Sequence, residues 1–181
     1  MGLFLLSSAS MAMPAMAQAP AAPEPPPPSY TVALTGYNAV PEQTDDTPFD
    51  TASGAYSNPQ VVAARTADLA DKLPFGTIIE IEGPATPDDY DCGYHAAAPH
   101  IGYRVIADAM NPRLKGRVDI LFGTSTTVMN PVVGKKQNPA NAIGICRGST
   151  VRVVGWVDIT KIPKTQAELA ILVNGKTLAA K

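Results

Sequence analysis

The stretch Val118-Asp119-Ile120-Leu121-Phe122 is a short apolar run interrupted by one acid. Its length and its branched and aromatic side chains predict a β-strand. Because successive side chains of a strand point to opposite faces, we expect Asp119 and Leu121 on one face and the other apolar residues on the opposite one. The pattern therefore predicts a carboxylic acid held close to apolar surroundings.

Four further segments have the length and composition of strands: residues 30–36, 77–81, 103–107 and 151–157. Turn signals rich in Pro, Gly and Asn separate them. Many short strands, few helices and no internal repeat predict a mainly β protein that forms one small barrel. Trp156, inside the last of these segments, is expected in the core rather than exposed as a stacking surface for a ligand.

Two segments favour helix. Residues 62–73 have Val62, Leu69 and Leu73 at a spacing that can bring them to one side of a helix. Near the C-terminus, Thr165 to Glu168 forms a capping box before an apolar run, which predicts a terminal helical turn. The same region also fits a hairpin turning at Asn174-Gly175, and we favour the helical alternative.

The composition limits the classes of protein. The chain has 181 residues, of which 45% are hydrophobic and 17% charged, which is the balance of one ordinary globular domain. This balance excludes a collagen-like, coiled-coil or wholly disordered chain. The net charge is 14 basic minus 16 acidic residues, or −2, which gives no strong overall field to attract nucleic acid or an anionic membrane. A nucleic-acid partner is therefore not expected.

The N-terminal residues indicate export. Residues 1–17 contain a short apolar stretch and end in Ala15-Met16-Ala17, the pattern of a signal-peptidase site, so we expect a signal peptide there. A buried amphipathic helix is the alternative. The stretch is too short, and too broken by Pro14, for a transmembrane segment. The predicted location is the cell envelope, the periplasm or the extracellular space.

The rest of the chain then divides into three parts. Residues 18–29 are rich in proline and predict an extended spacer. Residues 30–160 form the predicted β-barrel domain, and residues 161–181 form a C-terminal extension.

The two cysteines, Cys92 and Cys146, fit an exported protein. An even number of cysteines in an oxidising compartment favours one disulfide. A metal site built from Cys92, His95 and His100 is the alternative, but a structural zinc site needs four ligands, usually in closely spaced pairs. We therefore predict a disulfide, no metal and no cofactor.

Five short motifs follow one another between residues 31 and 123: Thr51-Ala52-Ser53-Gly54, Val61-Val62-Ala63-Ala64, Leu73-Pro74-Phe75-Gly76-Thr77, Ile106-Ala107-Asp108 and Lys115-Gly116-Arg117-Val118-Asp119-Ile120. In this order the stretch resembles the "3D" domain, a family named for three aspartates. The resemblance implies a six-stranded double-psi β-barrel with one or two short helices. It also implies a cell-wall protein similar to the catalytic barrel of membrane-bound lytic transglycosylase A, with peptidoglycan glycan strands as its partner.

Two positions depart from the family pattern. Arg65 stands where the family has its first aspartate, and Asp68 or Asp71 could replace that aspartate only if the following segment folds back. After Asp108 the chain continues with residues 109–112, Ala-Met-Asn-Pro, in place of Thr-Gly-Gly-Ala. We expect this bulkier and stiffer turn to reshape or close the groove.

The chemistry of a lytic transglycosylase needs one carboxyl group. It protonates the leaving oxygen and then, as a carboxylate, takes a proton from the sugar's own hydroxyl group. Such an acid needs a raised pKa and hence partial burial. The resemblance implies that Asp119 is this acid and base and that Asp108 is its catalytic neighbour, while Thr51 and Ser53 could bind sugar hydroxyls or simply form a turn.

Three functions remain open from the sequence. The first is an enzyme that cleaves peptidoglycan glycan strands by transglycosylation or hydrolysis. The second is a non-catalytic barrel that binds glycan or a wall partner, and the third, which we favour least, is a structural barrel that holds an exported partner. Each aspartate also has a structural alternative, as an acceptor in a turn or as the partner of Arg104, Arg113 or Arg117.

Overall fold

The computed structural model describes residues 26–44, 46–85 and 92–179, and the side chains of the last helix as far as residue 175. The predicted signal peptide and most of the predicted spacer lie outside the described residues. The strands in chain order are β1 (Ser29–Asn38), β2 (Val62–Arg65), β3 (Thr77–Glu82), β4 (Arg104–Ala109), β5 (Arg117–Phe122), β6 (Val128–Asn130), β7 (Lys135–Gln137) and β8 (Cys146–Trp156).

Six of these strands close into a barrel in the order β1-β5-β2-β4-β3-β8. Two neighbouring pairs are parallel, β1 with β5 and β2 with β4, and the other pairs are antiparallel. Strands β6 and β7 form a separate hairpin. The prediction of a mainly β, six-stranded barrel is confirmed, and the finer double-psi assignment stays a prediction.

Helices are few and mostly short: α1 (Tyr94–Ala97), α2 (Pro139–Ile143) and α3 (Gln166–Ala179), with 3-10 turns at Ala67–Leu69, Ala98–His100 and Ile159–Lys161. The helix predicted over residues 62–73 was wrong, because this segment contains β2 and a 3-10 turn. All four residues of β2 are buried, with Ala63 in the side-chain cluster on one face of the strand and Val62 and Ala64 in the cluster on the other face. A strand covered on both faces shows no alternation, and its apolar residues can imitate helical spacing.

The C-terminal capping box is present. The backbone N–H of Glu168 donates to the Thr165 hydroxyl at 3.2 Å, and the N–H of Thr165 donates to the Glu168 carboxylate at 3.1 Å. Helix α3 follows, so the predicted helical turn is confirmed and the alternative hairpin was wrong. Leu169 and Val173 of this helix are buried against the barrel.

Buried side chains form two clusters on opposite faces of the strands. The first takes residues from all six barrel strands, among them Leu34, Ala63, Ile79, Ile106, Ile120 and Val151, and therefore fills the barrel. The second contains their chain neighbours, such as Ala64, Ile78, Val105 and Leu121, together with the buried residues of α3. The alternation predicted for β5 is confirmed, because Ile120 belongs to the first cluster and Leu121 to the second.

The predicted disulfide is confirmed: Cys92 and Cys146 are joined by an S–S bond of 2.06 Å across 54 residues of sequence. Closing a loop of this length contributes about 4 kcal/mol in the chain-entropy account. The bond ties the segment before α1 to the start of β8. Among the described residues, no group of three or more His, Cys, Asp or Glu side chains could hold a metal ion.

The expectation of a core tryptophan was wrong. Trp156 is 55% exposed, and its indole N–H donates to the Phe75 carbonyl at 3.2 Å. It is the last residue of β8, where the strand leaves the barrel. In the described part of the chain, no helix has both the length and the apolar character needed to cross a bilayer.

Candidate active site

An open cleft of about 660 Å³ lies on the face of β1, β5, β2 and β4 that points away from the barrel interior. Its floor is formed by Tyr37, Ala64, Asp108 and Asp119, one from each of these strands. One wall comes from the loops around residues 43–57, and the other comes from residues 109–114. The cleft therefore collects both aspartates of the predicted site.

The two aspartates flank Ala64 in the sheet. Ala64 pairs with Asp119 of β5 on one side and with Asp108 of β4 on the other. Their Cα atoms are thus two strand spacings apart, roughly 10 Å. The small side chain of Ala64 leaves the space between them open.

A bulge in β4 decides which way Asp108 faces. The register shifts from Ala63 opposite Ile106 to Ala64 opposite Asp108, so Ala107 is the extra residue. In regular alternation Asp108 would share the face of Ile106, which lies inside the barrel. The bulge turns Asp108 to the cleft face instead, as bulges beside functional sites often do.

Asp119 is half-buried and is held by a neighbouring strand. The hydroxyl of Thr35, directly opposite in β1, donates to its Oδ1 at 2.8 Å. Burial is the main cause that raises the pKa of Asp119 to about 6, and the charge of Asp108 adds to this rise. The hydrogen bond from Thr35 and the charge of Arg117 lower the pKa and so act against the rise. The carboxyl group is therefore poised to exchange a proton near neutral pH.

Asp108 is held by three donors. Its Oδ1 accepts the backbone N–H groups of Ala52, at 2.9 Å, and Ala109, at 2.8 Å, and its Oδ2 accepts the hydroxyl of Tyr37 at 2.9 Å. Burial and the adjacent carboxylate raise the pKa of Tyr37 well above its ordinary value, so the phenol keeps its proton and remains a donor. Asp108 thereby ties the loop around residue 52 to the end of β4.

Thr51 lines the cleft, but its hydroxyl is engaged in a turn. It donates to the Ala55 carbonyl at 2.9 Å, accepts the Ala55 N–H at 3.1 Å and lies 3.0 Å from the Ser53 hydroxyl. Ser53 is outside the cleft lining, and its N–H donates to the Ala107 carbonyl. The pair shapes the loop that Asp108 holds.

The departures from the family pattern leave the cleft open. Arg65 follows Ala64 on the strand and points to the opposite face, where its Nε donates to the Leu73 carbonyl at 2.9 Å and its guanidinium lies over the Phe75 ring. Asp68 accepts the backbone N–H of Gly116 and lies outside the cleft lining. Residues 109–112 line one wall of the cleft, and the cleft is open, so the expected closure by this turn was wrong. That the turn reshapes the groove stays a prediction.

The prediction that Arg104 could form an ion pair with one of the two aspartates was wrong. The guanidinium of Arg104 donates to five backbone carbonyls, those of Pro59, Val62, His100, Ile101 and Leu121. The salt bridges among the described residues are those of Arg152 with Glu80 and Glu82, so neither aspartate is neutralised by a direct ion pair. Among the described cleft-lining residues there is also no Lys, Arg or His.

Sequence reasoning missed Thr35, Tyr37 and Ala64. Thr35 and Tyr37 are two apart in β1, on the face opposite the buried Leu34, so alternation placed them together on one face. Nothing in the sequence indicates that this face adjoins that of Asp119, because the pairing of β1 with β5 joins residues 84 positions apart. Comparison with models of known protein families gives no match, and comparison with curated proteins gives none either.

Proposed function

We propose that this is an exported cell-wall protein that cleaves the glycan strands of peptidoglycan, with Asp119 as the acid and base. The observation that carries the proposal is a half-buried carboxyl group with a pKa of about 6 on the floor of an open cleft. The ordered motifs that resemble the 3D domain supply the substrate class. The disulfide supports export, because such bonds persist in oxidising compartments.

The proposed reaction needs one carboxyl group. Protonated Asp119 gives its proton to the glycosidic oxygen while the bond from that oxygen to the sugar carbon breaks, and the bonding electrons leave with the oxygen. The resulting Asp119 carboxylate then removes the proton from a hydroxyl group of the same sugar, whose oxygen bonds to the cationic carbon. The products are a shortened strand and an anhydro-sugar end, and Asp119 is protonated again.

The surroundings of Asp119 suit both halves of this cycle. Burial and the charge of Asp108 favour the protonated acid that the first half needs. The hydrogen bond from Thr35 fixes Oδ1 and stabilises the carboxylate that the second half needs. A cleft without cationic side chains in its described lining favours an uncharged sugar over an anionic ligand.

A binding module without catalysis is the second candidate, and one observation favours it. The three donors to Asp108 occupy that carboxylate, so Asp119 is the carboxyl group of the described cleft floor that is left for chemistry. Asp50, the third acid of the described lining, belongs to the wall. An ordinary glycosidase needs two. Glycan binding needs no titrating group at all.

The deciding experiment uses purified peptidoglycan and mass spectrometry of the soluble products. Wild-type protein is expected to release anhydro-sugar ends, and Asp119→Asn is expected to lower this release by roughly 10²- to 10⁴-fold while glycan binding changes little. Asp71→Asn is the matched control, because Asp71 is exposed and lies outside the cleft lining.

The outcomes separate the two candidates. Glycan binding without product from the wild type would establish the binding module. An Asp119→Asn variant as active as the wild type would remove Asp119 from the mechanism.

A further inference from the structure

The hairpin of β6 and β7 carries an exposed apolar tip. Met129, Val132 and Val133 are 55%, 60% and 54% exposed, and the whole turn between the strands is open to solvent. Tight turns favour Gly, Asn, Asp and Ser, so two adjacent valines at a tip are unusual. Large apolar side chains grouped in this way commonly mark a contact surface.

The tip has a defined conformation. The side-chain oxygen of Asn130 accepts the backbone N–H groups of Val132, at 2.9 Å, and Val133, at 3.4 Å. The N–H of Gly134 donates to the Asn130 carbonyl at 2.9 Å, and Gly134 has a φ of +64°, which favours glycine. The fold therefore holds the two valines outward.

The base of the hairpin is fixed to the barrel. Val128 is buried, and the side-chain amide of Asn138 donates to the carbonyls of Gly123, at 2.9 Å, and Thr126, at 3.2 Å. Asn38, at the end of β1, donates to the side-chain oxygen of Asn138 at 3.2 Å. The hairpin is thus a fixed projection of the barrel.

Two lysines adjoin the apolar tip. Lys135 and Lys136 are exposed, and Lys136 pairs across the hairpin with Met129, so a cationic and an apolar side chain share one face. The chain contains no Asp or Glu from residue 120 to residue 157. The described salt bridges leave both lysines outside an ion pair.

We propose that this hairpin tip docks on the surface of an anionic lipid bilayer, with the valines among the acyl chains and the lysines at the headgroups. An apolar end flanked by cations is the pattern of interfacial anchoring. Three apolar side chains are too few for a stable protein interface, which buries about 800 Å² on each partner. The attraction is local to the hairpin and needs no strong net charge. The proposal is independent of the glycan chemistry.

The test is co-sedimentation of the full chain with vesicles of phosphatidylcholine, with and without 30% phosphatidylglycerol, at about 0.05 and 0.5 M NaCl. Wild-type protein is expected to bind the anionic vesicles, and to bind them more weakly at high salt. Replacing both lysines, Lys135→Gln with Lys136→Gln, is expected to weaken binding by roughly 10- to 30-fold. Replacing both valines, Val132→Ser with Val133→Ser, is expected to weaken it by about tenfold or more.

Two matched variants control for general effects. Ile171→Ser removes an exposed apolar side chain from α3, and Lys161→Gln removes an exposed cation outside the hairpin. Both variants should bind the vesicles as the wild type does. All variants keep residues 1–17, so any lipid affinity of that segment is common to them. Because the replaced residues are exposed, the melting temperatures should agree within a few degrees.

Three results would overturn the proposal. The first is no binding of wild-type protein to anionic vesicles, and the second is unchanged binding by the valine variant. The third is that the wild type binds a soluble polyanion such as heparin as strongly as it binds anionic vesicles, and that only the lysine variant loses this binding. That result would make an anionic polymer, and not a bilayer, the partner of the hairpin.

Discussion

Asp108 and Asp119 flank the same alanine in one cleft, yet their surroundings differ. Three donors hold Asp108, including two backbone N–H groups, whereas Thr35 alone donates a hydrogen bond to Asp119 among the described residues. Donors that favour the charged carboxylate oppose the effect of burial, and where they are few burial raises the pKa. The hydrogen bonds of Asp108 are those of a structural acceptor, and the proposed function places the proton transfer on Asp119.

After the loss expected for Asp119→Asn, the largest effect that the proposed function predicts is on the pH dependence of turnover. Because the first step needs protonated Asp119, product release should fall about tenfold per pH unit above about 6, hence roughly a hundredfold by pH 8. Initial rates of anhydro-end formation across pH 5 to 8 measure this. A profile flat through pH 7 would assign the acid to another group.

The second prediction concerns the structural part of Asp108. Asp108→Ala should lower the free energy of unfolding by about 1 to 3 kcal/mol, because the buried hydroxyl of Tyr37 and two backbone N–H groups lose their acceptor. Urea unfolding at pH 7 measures the loss, with Asp71→Ala as the exposed control. A variant as stable as the wild type would mean that water replaces the carboxylate at no cost.

The third prediction is a gain in the free energy of unfolding, in contrast to the loss expected for Asp108→Ala. The pKa of folded Asp119, about 6, lies above its unfolded value, so ionisation costs stability as the pH rises from about 4 to 6, and the cost persists at higher pH. Asp119→Asn removes this cost and should be about 1 to 2 kcal/mol more stable than the wild type at pH 8. The difference should vanish below about pH 4. Lower stability of the variant at pH 8 would make Asp119 a structural acceptor too.

The smallest effect should come from Thr35. Thr35→Val removes the hydroxyl that stabilises the Asp119 carboxylate, so the pKa of Asp119 should rise and the falling limb of the rate profile should move to higher pH. The rate at pH 7 should change by less than about tenfold. Thr35→Ser keeps the donor and should retain the wild-type profile. Identical pH profiles for the valine and serine variants would show that the Thr35 hydroxyl does not affect the pKa of Asp119.

Strand β2 is the barrel strand that the sequence did not predict, and the burial of both its faces explains why. Five predicted strand segments coincide with barrel strands, because their apolar side chains alternate or cluster over a strand's length. The sixth strand, β2, lies in a segment predicted as helix from the spacing of Val62, Leu69 and Leu73. In the structure both faces of β2 are covered by buried clusters, so its residues show no polar-apolar alternation, and the residues that cover it are distant in the sequence.

The sequence by itself determined the strands with a visible period, the pairing of the only two cysteines and the face of Asp119 on β5. Each of these depends on local spacing or on a simple count. Only the tertiary structure decided that Thr35 meets Asp119 across 84 residues, that Tyr37 meets Asp108 across 71, and that a bulge turns Asp108 into the cleft. Strand pairing, register and burial are set by residues distant in the chain, so the acidity of Asp119 is a property of the assembled barrel.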